Sequence, residues 1–262
     1  MRILIKIGGS LLDDPDSRLR LAREIASVAG PPKFETVIVH GGGKQMTRFL
    51  AERGVESHFI NGLRVSTPEI MDAVVKVFAG SVNTQLVAAL RAAGASPVGL
   101  TGLDAGLVDA EILNPALGQV GKPACSEARL LELLVEASYL PVVACLAGDA
   151  HGAIFNVNAD QMATALASSF RVSKLVFLTD VDGVRDGAGV TREVLTAADA
   201  SGLISGGVAT GGMQAKLEAA MLALHTGVKE VLIAPGAKPD VLGLLFDGSR
   251  IGTRLVLQSK TV

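Results

Sequence analysis

Three places in the sequence combine adjacent glycines with a nearby lysine, a combination suited to holding an anion. The three places are Lys6 before Gly8-Gly9, Gly41-Gly42-Gly43 before Lys44, and Gly211-Gly212 before Lys216. Glycine has no Cβ, so its backbone can approach an anion closely, and a helix that follows presents free N–H groups and the positive end of its dipole. The expected chemistry is therefore the binding of a phosphate or phosphoryl group.

The glycine run in V-I-V-H-G-G-G-K-Q-M (37–46) matches neither of the common phosphate-binding fingerprints. A P-loop needs G-x-x-x-x-G-K-[ST], but Lys44 is followed by Gln45 and the four-residue spacer is missing. A dinucleotide fingerprint needs G-x-G-x-x-G, and its third glycine is absent. What remains is a strand-to-helix turn that binds an anion through backbone N–H groups, with a plain tight turn as the alternative.

Four charged residues extend this picture. Lys6 interrupts an otherwise apolar strand, so its ammonium should reach an anion at the strand's end unless the strand lies at a sheet edge. Lys216 should lean back toward the start of its helix, with a solvated position as the alternative. Asp160 starts a helix, where dipole compensation is an equal explanation. Arg64, in a turn-rich segment, suits bidentate binding of a carboxylate.

The elements that position these residues alternate between short apolar runs and amphipathic stretches. Strands are predicted at about 2–7, 36–40, 96–101, 140–145, 174–179, 230–234 and 254–257, and helices at about 16–29, 44–53, 68–91, 126–137, 158 onward, 196–205, 212–225 and 239–246. This alternation predicts an α/β fold with a parallel sheet between helices. Such sheets bind ligands beyond the carboxyl ends of their strands, where the residues above fall.

Local signals mark several helix ends. Thr67 is predicted to cap the third helix, which continues with a weak point near Gly80. Ser126 is predicted to cap another helix, and Asn158 with Gln161 matches a capping box. The segment 151–158 suggests a short hairpin.

Composition excludes several classes of function. The 262 residues are 49% hydrophobic and 3% aromatic, with 24 basic against 26 acidic residues, so a nucleic-acid partner is not expected. Cys125 and Cys145 are far from C-x-x-C spacing and are expected to be reduced thiols. The longest apolar stretch, 130–148, contains two glutamates and a proline, and the N-terminus lacks a signal pattern. We expect a cytoplasmic protein with neither a membrane span nor a histidine metal site.

Eight ordered segments resemble the amino acid kinase family over essentially the full chain. They are I-K-I-G-G-S-L-L (5–12), V-H-G-G-G (39–43), N-G-L-R-V (61–65), G-L-T-G-L-D (99–104), L-P-V-V (140–143), N-V-N-A-D-Q (156–161), L-T-D-V-D-G-V (178–184) and G-G-M-Q-A-K (211–216). The resemblance implies a three-layer α-β-α sandwich with a mainly parallel sheet running through two lobes. Residues 1–172 would bind the amino-acid substrate and carry a dimer interface, and residues 173–262 would bind ATP.

The resemblance also implies roles for individual residues. Lys6 and Lys216 are similar to the two lysines that stabilise the transferring phosphoryl group, and Asp160 to the residue that organises them. The substrate-binding positions would be Gly42, Gly43, Arg64 and Asn156. The nucleotide-binding positions would be Gly8, Gly9, Asp180, Val181, Asp182, Gly183, Val184, Arg185, Val208, Ala209, Thr210 and Gly212. The cofactor would be ATP with Mg²⁺ held mainly by its phosphates, without a protein metal site.

Within the family, the segments are most similar to the branch that phosphorylates the γ-carboxylate of N-acetyl-L-glutamate in arginine biosynthesis. A carboxylate acceptor with a pKa of about 4.3 is ionised at neutral pH and needs no general base. Two alternatives stay open: a kinase for a related acylated acidic amino acid, such as N-succinylglutamate or carrier-bound aminoadipate, and a non-catalytic nucleotide or amino-acid sensor.

Two departures from the family pattern matter. Lys44 stands where the family commonly has proline, and it either adds positive charge near the acceptor or points to solvent. The chain begins directly at the first strand, without the N-terminal helix of hexameric, arginine-sensing members. We therefore expect a homodimer that is insensitive to arginine.

Overall fold

The centre of the fold is an eight-stranded, mainly parallel sheet with helices packed against it, as predicted. The computed structural model describes residues 1–30 and 33–258, apart from the side chain of Cys125. The strands are β1 (Arg2–Ile7), β2 (Glu35–His40), β3 (Phe59–Ile60), β4 (Leu63–Arg64), β5 (Pro97–Thr101), β6 (Val108–Ile112), β7 (Val120–Ser126), β8 (Leu140–Ala144), β9 (Leu146–Gly148), β10 (Ile154–Val157), β11 (Lys174–Thr179), β12 (Val194–Thr196), β13 (Glu230–Pro235) and β14 (Thr253–Val256).

The helices fall largely where the apolar periodicity predicts them. They are α1 (Pro15–Val28), α2 (Gly43–Ala51), α3 (Pro68–Val74), α4 (Asn83–Ala92), α5 (Arg129–Glu136), α6 (Ala159–Ser169), α7 (Ala197–Ser205), α8 (Gly211–His225) and α9 (Val241–Phe246). Short 3₁₀ turns cover Gly9–Leu12, Asp104–Gly106 and Pro115–Leu117.

The strand order of the main sheet is β12-β14-β13-β11-β1-β2-β8-β5. Every pairing in it is parallel except that of β13 with β14. Central strands are buried on both faces and therefore read as continuous apolar runs. In β1, Ile3, Leu4, Ile5 and Ile7 are fully buried, and Lys6 is only 7% exposed. The sheet continues across the predicted lobe boundary without a break.

A second sheet closes four short strands, β6, β7, β9 and β10, into a small barrel. β9 and β10 form a hairpin whose second strand lies in the predicted segment 151–158 and whose first strand precedes it, whereas β6 and β7 were not predicted. A separate two-stranded hairpin joins β3 to β4 through Asn61 and Gly62. Both turn residues have positive φ, 50° and 78°, as the tight Asn-Gly turns of such hairpins require.

The helix predicted at 68–91 is one stretch of 25 residues, Pro68–Ala92, with an irregular middle. Thr67 caps it as predicted, and α3 and α4 are joined by a π-helical segment, Val75–Val82, that contains the predicted weak point Gly80. By length and composition alone this stretch could span a membrane. In the folded molecule 44% of its most apolar 18 residues are buried, and α4 packs on α1 and β5.

One predicted helix cap is absent, and the predicted capping box is only half formed. Ser126 is the last residue of β7, and its hydroxyl donates to the Ala165 carbonyl at 3.0 Å, while α5 begins only at Arg129. A strand pairing therefore replaces the predicted helix start. Asn158 does cap α6 by accepting from the N–H groups of Asp160 and Gln161. The reciprocal half of the capping box is missing, because Gln161 Oε1 has no hydrogen-bond partner among the described residues.

Candidate active site

Lys6, Asp160 and Lys216 form a buried ion cluster at the carboxyl end of β1. Lys6 Nζ lies 2.7 Å from Asp160 Oδ1, and Lys216 Nζ lies 3.2 Å from Asp160 Oδ2. The side chains of Lys6, Asp160 and Lys216 are 9%, 7% and 17% exposed. Lys6 is on a central strand and Lys216 is not on a solvated face, so the alternatives left open for both lysines are wrong.

Asp160 stays ionised in spite of its burial. Burial alone would raise its pKa, but the Coulomb attraction of Lys6 and Lys216, with their hydrogen bonds, outweighs that effect and holds the pKa below its usual range. Two ammonium groups against one carboxylate leave one net positive charge in a poorly solvated space. Such a space favours the arrival of a further anion.

Two glycine loops meet beside this cluster. The loop after β1 packs against the loop after β2 so closely that a Cβ on Gly9 would lie 3.1 Å from the Gly43 nitrogen. A Cβ on Gly8 would lie equally close to the Leu178 carbonyl, at 3.1 Å. Gln45 ties the loops together by donating from Nε2 to the Gly9 carbonyl at 3.0 Å. The glycines therefore allow a close approach of three strand ends.

The Gly41–Gly43 loop ends at the start of α2. A Cβ on Gly42 would lie 2.8 Å from the Phe78 ring, whereas a Cβ on Gly43 would meet open space. Gly42 is the N-cap residue, and no side chain of the described residues caps this end. The first N–H groups of α2 are therefore left without a capping partner among the described residues, as an anion-binding turn requires. Lys44 is exposed.

Arg64 is held against this loop by the β3–β4 hairpin. Its guanidinium donates to Thr47 Oγ1 at 2.8 Å, to the Gly43 carbonyl at 3.3 Å and to Ser57 Oγ. Its Cζ lies 4.6 Å from the centre of the Phe59 ring, the cross-strand neighbour. Burial lowers the pKa of Arg64, which is only 8% exposed. The sequence-predicted carboxylate binder is thus a buried, preoriented cation.

Asn156 connects to the same hairpin through one hydroxyl. Asn156 Nδ2 donates to Ser66 Oγ at 3.0 Å, and Ser66 Oγ donates to the Arg64 carbonyl at 3.0 Å. Asn156 lies on β10 of the small barrel, and its backbone pairs with Val120 of β7. The barrel and the hairpin therefore place Asn156 and Arg64 in one hydrogen-bonded group.

The predicted nucleotide segments lie after β11 and before α8. Asp180, Val181, Asp182, Arg185, Val208 and Thr210 are exposed, and Gly183, Val184 and Ala209 are buried. The Val184 N–H donates to the buried Thr253 hydroxyl at 2.8 Å, and Gly183 has a φ of 144° in a space that a Cβ would not fit. The side chains of Val184 and Ala209 face the core, so these two positions offer only backbone to a ligand.

Two buried residues that the sequence did not point to support the glycine loop. His40 is fully buried at the end of β2, where burial lowers its pKa to about 4. His40 Nδ1 lies 2.9 Å from the Gly41 carbonyl, and His40 Nε2 lies 3.0 Å from Asn83 Nδ2. A histidine in an apolar strand and an asparagine in an apolar helix were the available signals. Cys145, near Gly41, is a buried free thiol, and burial raises its pKa to about 12.

Comparison with models of protein families identifies the family of this chain. The sequence model described as the amino acid kinase family matches residues 1–235. The chain belongs to the amino acid kinase family. The resemblance seen in the sequence is thereby confirmed, and so is the α/β class with its mainly parallel sheet.

Among members of this family, two proteins named acetylglutamate kinase are similar along nearly their whole length. The protein from Solibacter usitatus (strain Ellin6076) is 56% identical over 256 residues, covering 98% of this chain and 99% of its own. The protein from Geobacillus kaustophilus (strain HTA426) is 42% identical over 236 residues, covering 89% of this chain and 90% of its own.

Solved structures of other proteins superpose on the amino acid kinase fold seen here. The smu.665 structure from Streptococcus mutans UA159 has a TM-score of 0.80 at 30% identity and covers 98% of this chain and 99% of its own. N-acetylglutamate synthase from Neisseria gonorrhoeae, complexed with coenzyme A and N-acetyl-glutamate, has a TM-score of 0.86 at 26% identity and covers 98% and 60%.

Proposed function

We propose that this amino acid kinase transfers the γ-phosphoryl group of ATP to the γ-carboxylate of N-acetyl-L-glutamate. The observation that carries the proposal is the buried cluster of Lys6, Asp160 and Lys216 beside two glycine loops. It occurs in a chain that is 56% identical, over 98% of its length, to a protein named acetylglutamate kinase. The product would be N-acetyl-L-glutamyl 5-phosphate.

The reaction requires positioning and charge neutralisation more than proton transfer. An oxygen of the ionised acceptor carboxylate bonds to the γ-phosphorus, the bond to the bridging oxygen breaks, and ADP leaves with that electron pair. Lys6 and Lys216 neutralise charge on the transferring group, where fixed donors in a poorly solvated site are most effective. Asp160 orients the two ammonium groups and reduces their mutual repulsion, while the cluster keeps its excess positive charge.

The acceptor would bind on the first-lobe side of the cluster. We assign its α-carboxylate to Arg64 and a polar contact to Asn156, which the hairpin and barrel already hold in one hydrogen-bonded group. The N–H groups of Gly42 and Gly43, at the uncapped start of α2, would approach the acceptor carboxylate and the transferring phosphoryl group.

ATP would bind across the segments 180–185 and 208–212, with Gly8 and Gly9 near its phosphates. The start of α8 presents free N–H groups because Thr210, its N-cap, makes no side-chain capping bond among the described residues. The accompanying Mg²⁺ would be held mainly by phosphate oxygens, because the buried carboxylate of the cluster, Asp160, is already paired with two ammonium groups. When bound, the ion adds positive charge at the phosphates.

We further propose the division of labour that the family resemblance implies. Residues 1–172 would bind the acylated amino acid and carry the interface of a homodimer, and residues 173–262 would bind ATP. The homodimer would be cytoplasmic and insensitive to arginine. Light scattering that returns a hexamer, or strong inhibition by arginine, contradicts this part.

Two alternatives are weaker. A non-catalytic sensor would not need Lys6, Asp160 and Lys216 paired in a buried cluster, and all three are present. A kinase for N-succinylglutamate or carrier-bound aminoadipate would share the chemistry and differ in the acyl pocket, so it is separated by substrate preference alone.

The deciding experiment traps the acyl phosphate with hydroxylamine in the presence of ATP and Mg²⁺. Four acceptors are compared: N-acetyl-L-glutamate, N-succinyl-L-glutamate, L-glutamate and L-aspartate. The proposal expects the highest kcat/KM with N-acetyl-L-glutamate. Absence of hydroxamate with every acceptor refutes an enzyme of this class. Preference for the succinylated acceptor would change only the acyl group assigned to the substrate and would leave the reaction as proposed.

A further inference from the structure

The glycine loop that approaches the phosphoryl group is fixed from behind by a buried polar pair. His40 is the last residue of β2, immediately before Gly41, and Asn83 is the first residue of α4. His40 is fully buried and Asn83 is 6% exposed. Buried polar groups are costly unless they are hydrogen-bonded, and these two bond to each other.

The donors and acceptors around Asn83 fix the proton on His40. Asn83 Nδ2 lies 3.0 Å from His40 Nε2 and 3.0 Å from the Val142 carbonyl, which can only accept. The amide nitrogen, which has two N–H groups, must therefore face both atoms, and His40 Nε2 must accept. His40 Nδ1 then carries the proton and donates it to the Gly41 carbonyl at 2.9 Å.

That bond determines which way the next N–H group points. In a planar trans peptide, the carbonyl and the following N–H point in opposite directions. Because the Gly41 carbonyl is held by His40, the Gly42 N–H is turned away from His40. Like the first N–H groups of α2, it has no hydrogen-bond partner among the described residues and is free for the phosphoryl group that is proposed to bind there.

The π-helical segment explains how Asn83 reaches this place. π-Helical turns insert an extra residue into a helix and often occur at functional sites. The segment Val75–Val82 presents Phe78 and Val82 to Gly42, where a Cβ would lie 2.8 Å from the Phe78 ring and 3.2 Å from Val82 Cγ2. It also delivers Asn83 onto the strand ends, where a Cβ on Gly99 would overlap the Asn83 amide oxygen.

We infer that Asn83 and His40 are positioning residues that hold the glycine loop with its N–H groups directed to the phosphoryl group. The inference rests on the proposed phosphotransfer. It adds to that function two consecutive hydrogen bonds. Asn83 determines which ring nitrogen of His40 carries the proton, and His40 determines the orientation of the peptide plane between Gly41 and Gly42.

The first test measures the tautomer directly and needs no substrate. Protein labelled with ¹⁵N-histidine contains four histidines, and the signal missing from the His40→Asn variant assigns His40. Long-range ¹H–¹⁵N correlation should show His40 protonated at Nδ1 in the wild-type protein. Protonation at Nε2 instead overturns the inference, whether or not the enzyme phosphorylates N-acetyl-L-glutamate.

The second test measures turnover in variants of nearly equal size. Asn83→Asp replaces the donating amide by a carboxylate, which accepts from a protonated His40 Nε2 and repels the Val142 carbonyl, so the pair no longer holds its native geometry. This variant should lower kcat by about ten- to a hundred-fold, with both KM values within about three-fold. His40→Asn keeps a donor near the Nδ1 position and should retain more kcat than His40→Phe, which has none. Wild-type kcat in Asn83→Asp, or equal kcat in the two His40 variants, contradicts the inference.

Thr36→Val is the matched control. Thr36 lies on the same strand, is 2% exposed, and donates to the Phe34 carbonyl at 3.1 Å at the end far from the site. Its loss should lower the thermal midpoint and leave kcat unchanged. If Thr36→Val lowers kcat as much as Asn83→Asp, the effect is general destabilisation and the inference fails. Absence of wild-type turnover refutes the proposed function alone.

Discussion

Two carboxylates of this protein are each flanked by two cations, at opposite ends of the same sheet. Asp160 pairs with Lys6 and Lys216 at the carboxyl end, and Glu230 pairs with Lys174 and, at 3.4 Å, with Arg254 at the amino end of β13. The charges are the same in both clusters. The surroundings differ, because Arg254 is 44% exposed, whereas the most exposed side chain near Asp160, Lys216, is 17% exposed.

The difference in solvent exposure determines which ion cluster can contribute to catalysis. At the amino end the cations reach solvent, which screens them and limits what they contribute. At the carboxyl end the excess charge is buried beside glycine loops and the starts of α2 and α8, all of which favour anions. We therefore expect one cluster to control turnover and the other to affect only stability.

The largest effect should come from Lys6→Met. Lys6 is one of the two buried ammonium groups proposed to contact the transferring phosphoryl group, so its removal should lower kcat by about a thousand-fold, with smaller changes in KM. Steady-state kinetics with the hydroxamate assay measure this. Lys174→Met is the matched control at the other cluster and should stay within about two-fold of wild type. Similar losses of kcat in both variants would contradict the expectation that only the Asp160 cluster controls turnover.

Asp160→Asn should come next, with kcat lowered by about a hundred-fold, because two buried ammonium groups are left without their shared carboxylate. The variant also has a pH signature. The pKa of Asp160 is depressed in the folded protein, so its stabilising contribution is complete above the unfolded value of about 3.9 and is lost as the pH falls further.

Thermal midpoints at several pH values test that signature. The advantage of the wild-type protein over Asp160→Asn should be constant between about pH 5 and 7 and should shrink below about pH 4. An advantage that grows as the pH falls would mean that the pKa of Asp160 is raised, not lowered.

Alanine substitutions at the adjacent glycines Gly42 and Gly43 should differ in their effect on stability. Gly42→Ala puts a methyl group 2.8 Å from the Phe78 ring and should lower the free energy of unfolding by about 1–3 kcal/mol. Gly43→Ala puts it in open space and should leave stability within about 0.5 kcal/mol, while turnover falls if its backbone faces the phosphoryl group. Urea unfolding of both variants measures the contrast, and equal stability losses would show that Phe78 does not fix Gly42.

The smallest effect on turnover is expected for Glu230→Gln. Because this cluster lies at the amino end of the sheet, kcat should remain within about two-fold of wild type, and the free energy of unfolding should fall by about 1 kcal/mol. Kinetics and urea unfolding check both values. A ten-fold loss of kcat would show that the two clusters are coupled through the strands between them.

The elements around the ion cluster were predictable because their signals are local. β1, β2 and β11 are short runs of buried aliphatic residues, and Thr67 before Pro68 marks a helix start. β7 was not predictable, since it contains Gly121 and Pro123 and is held by pairing with β6 and with the distant β10.

The site itself required more than local signals. Each glycine loop was visible alone, but the convergence of residues 6, 160 and 216 came only from the family resemblance, since folding brings them together. The contact of His40 with Asn83 joins positions 43 residues apart, and the π-helical segment before Asn83 packs Phe78 and Val82 against Gly42. Gly80 is a weak sequence signal for this irregular part of the helix.

The central position of β1 has a consequence for dividing the chain. β1 pairs with β2 on one side through six register positions and with β11 on the other through five. A cut near residue 172 would leave a bare strand edge on each fragment, with Lys6 and Asp160 on one piece and Lys216 on the other. Neither piece could assemble the cluster alone. Formation of acyl phosphate by two co-expressed halves would therefore show that the halves had reassembled.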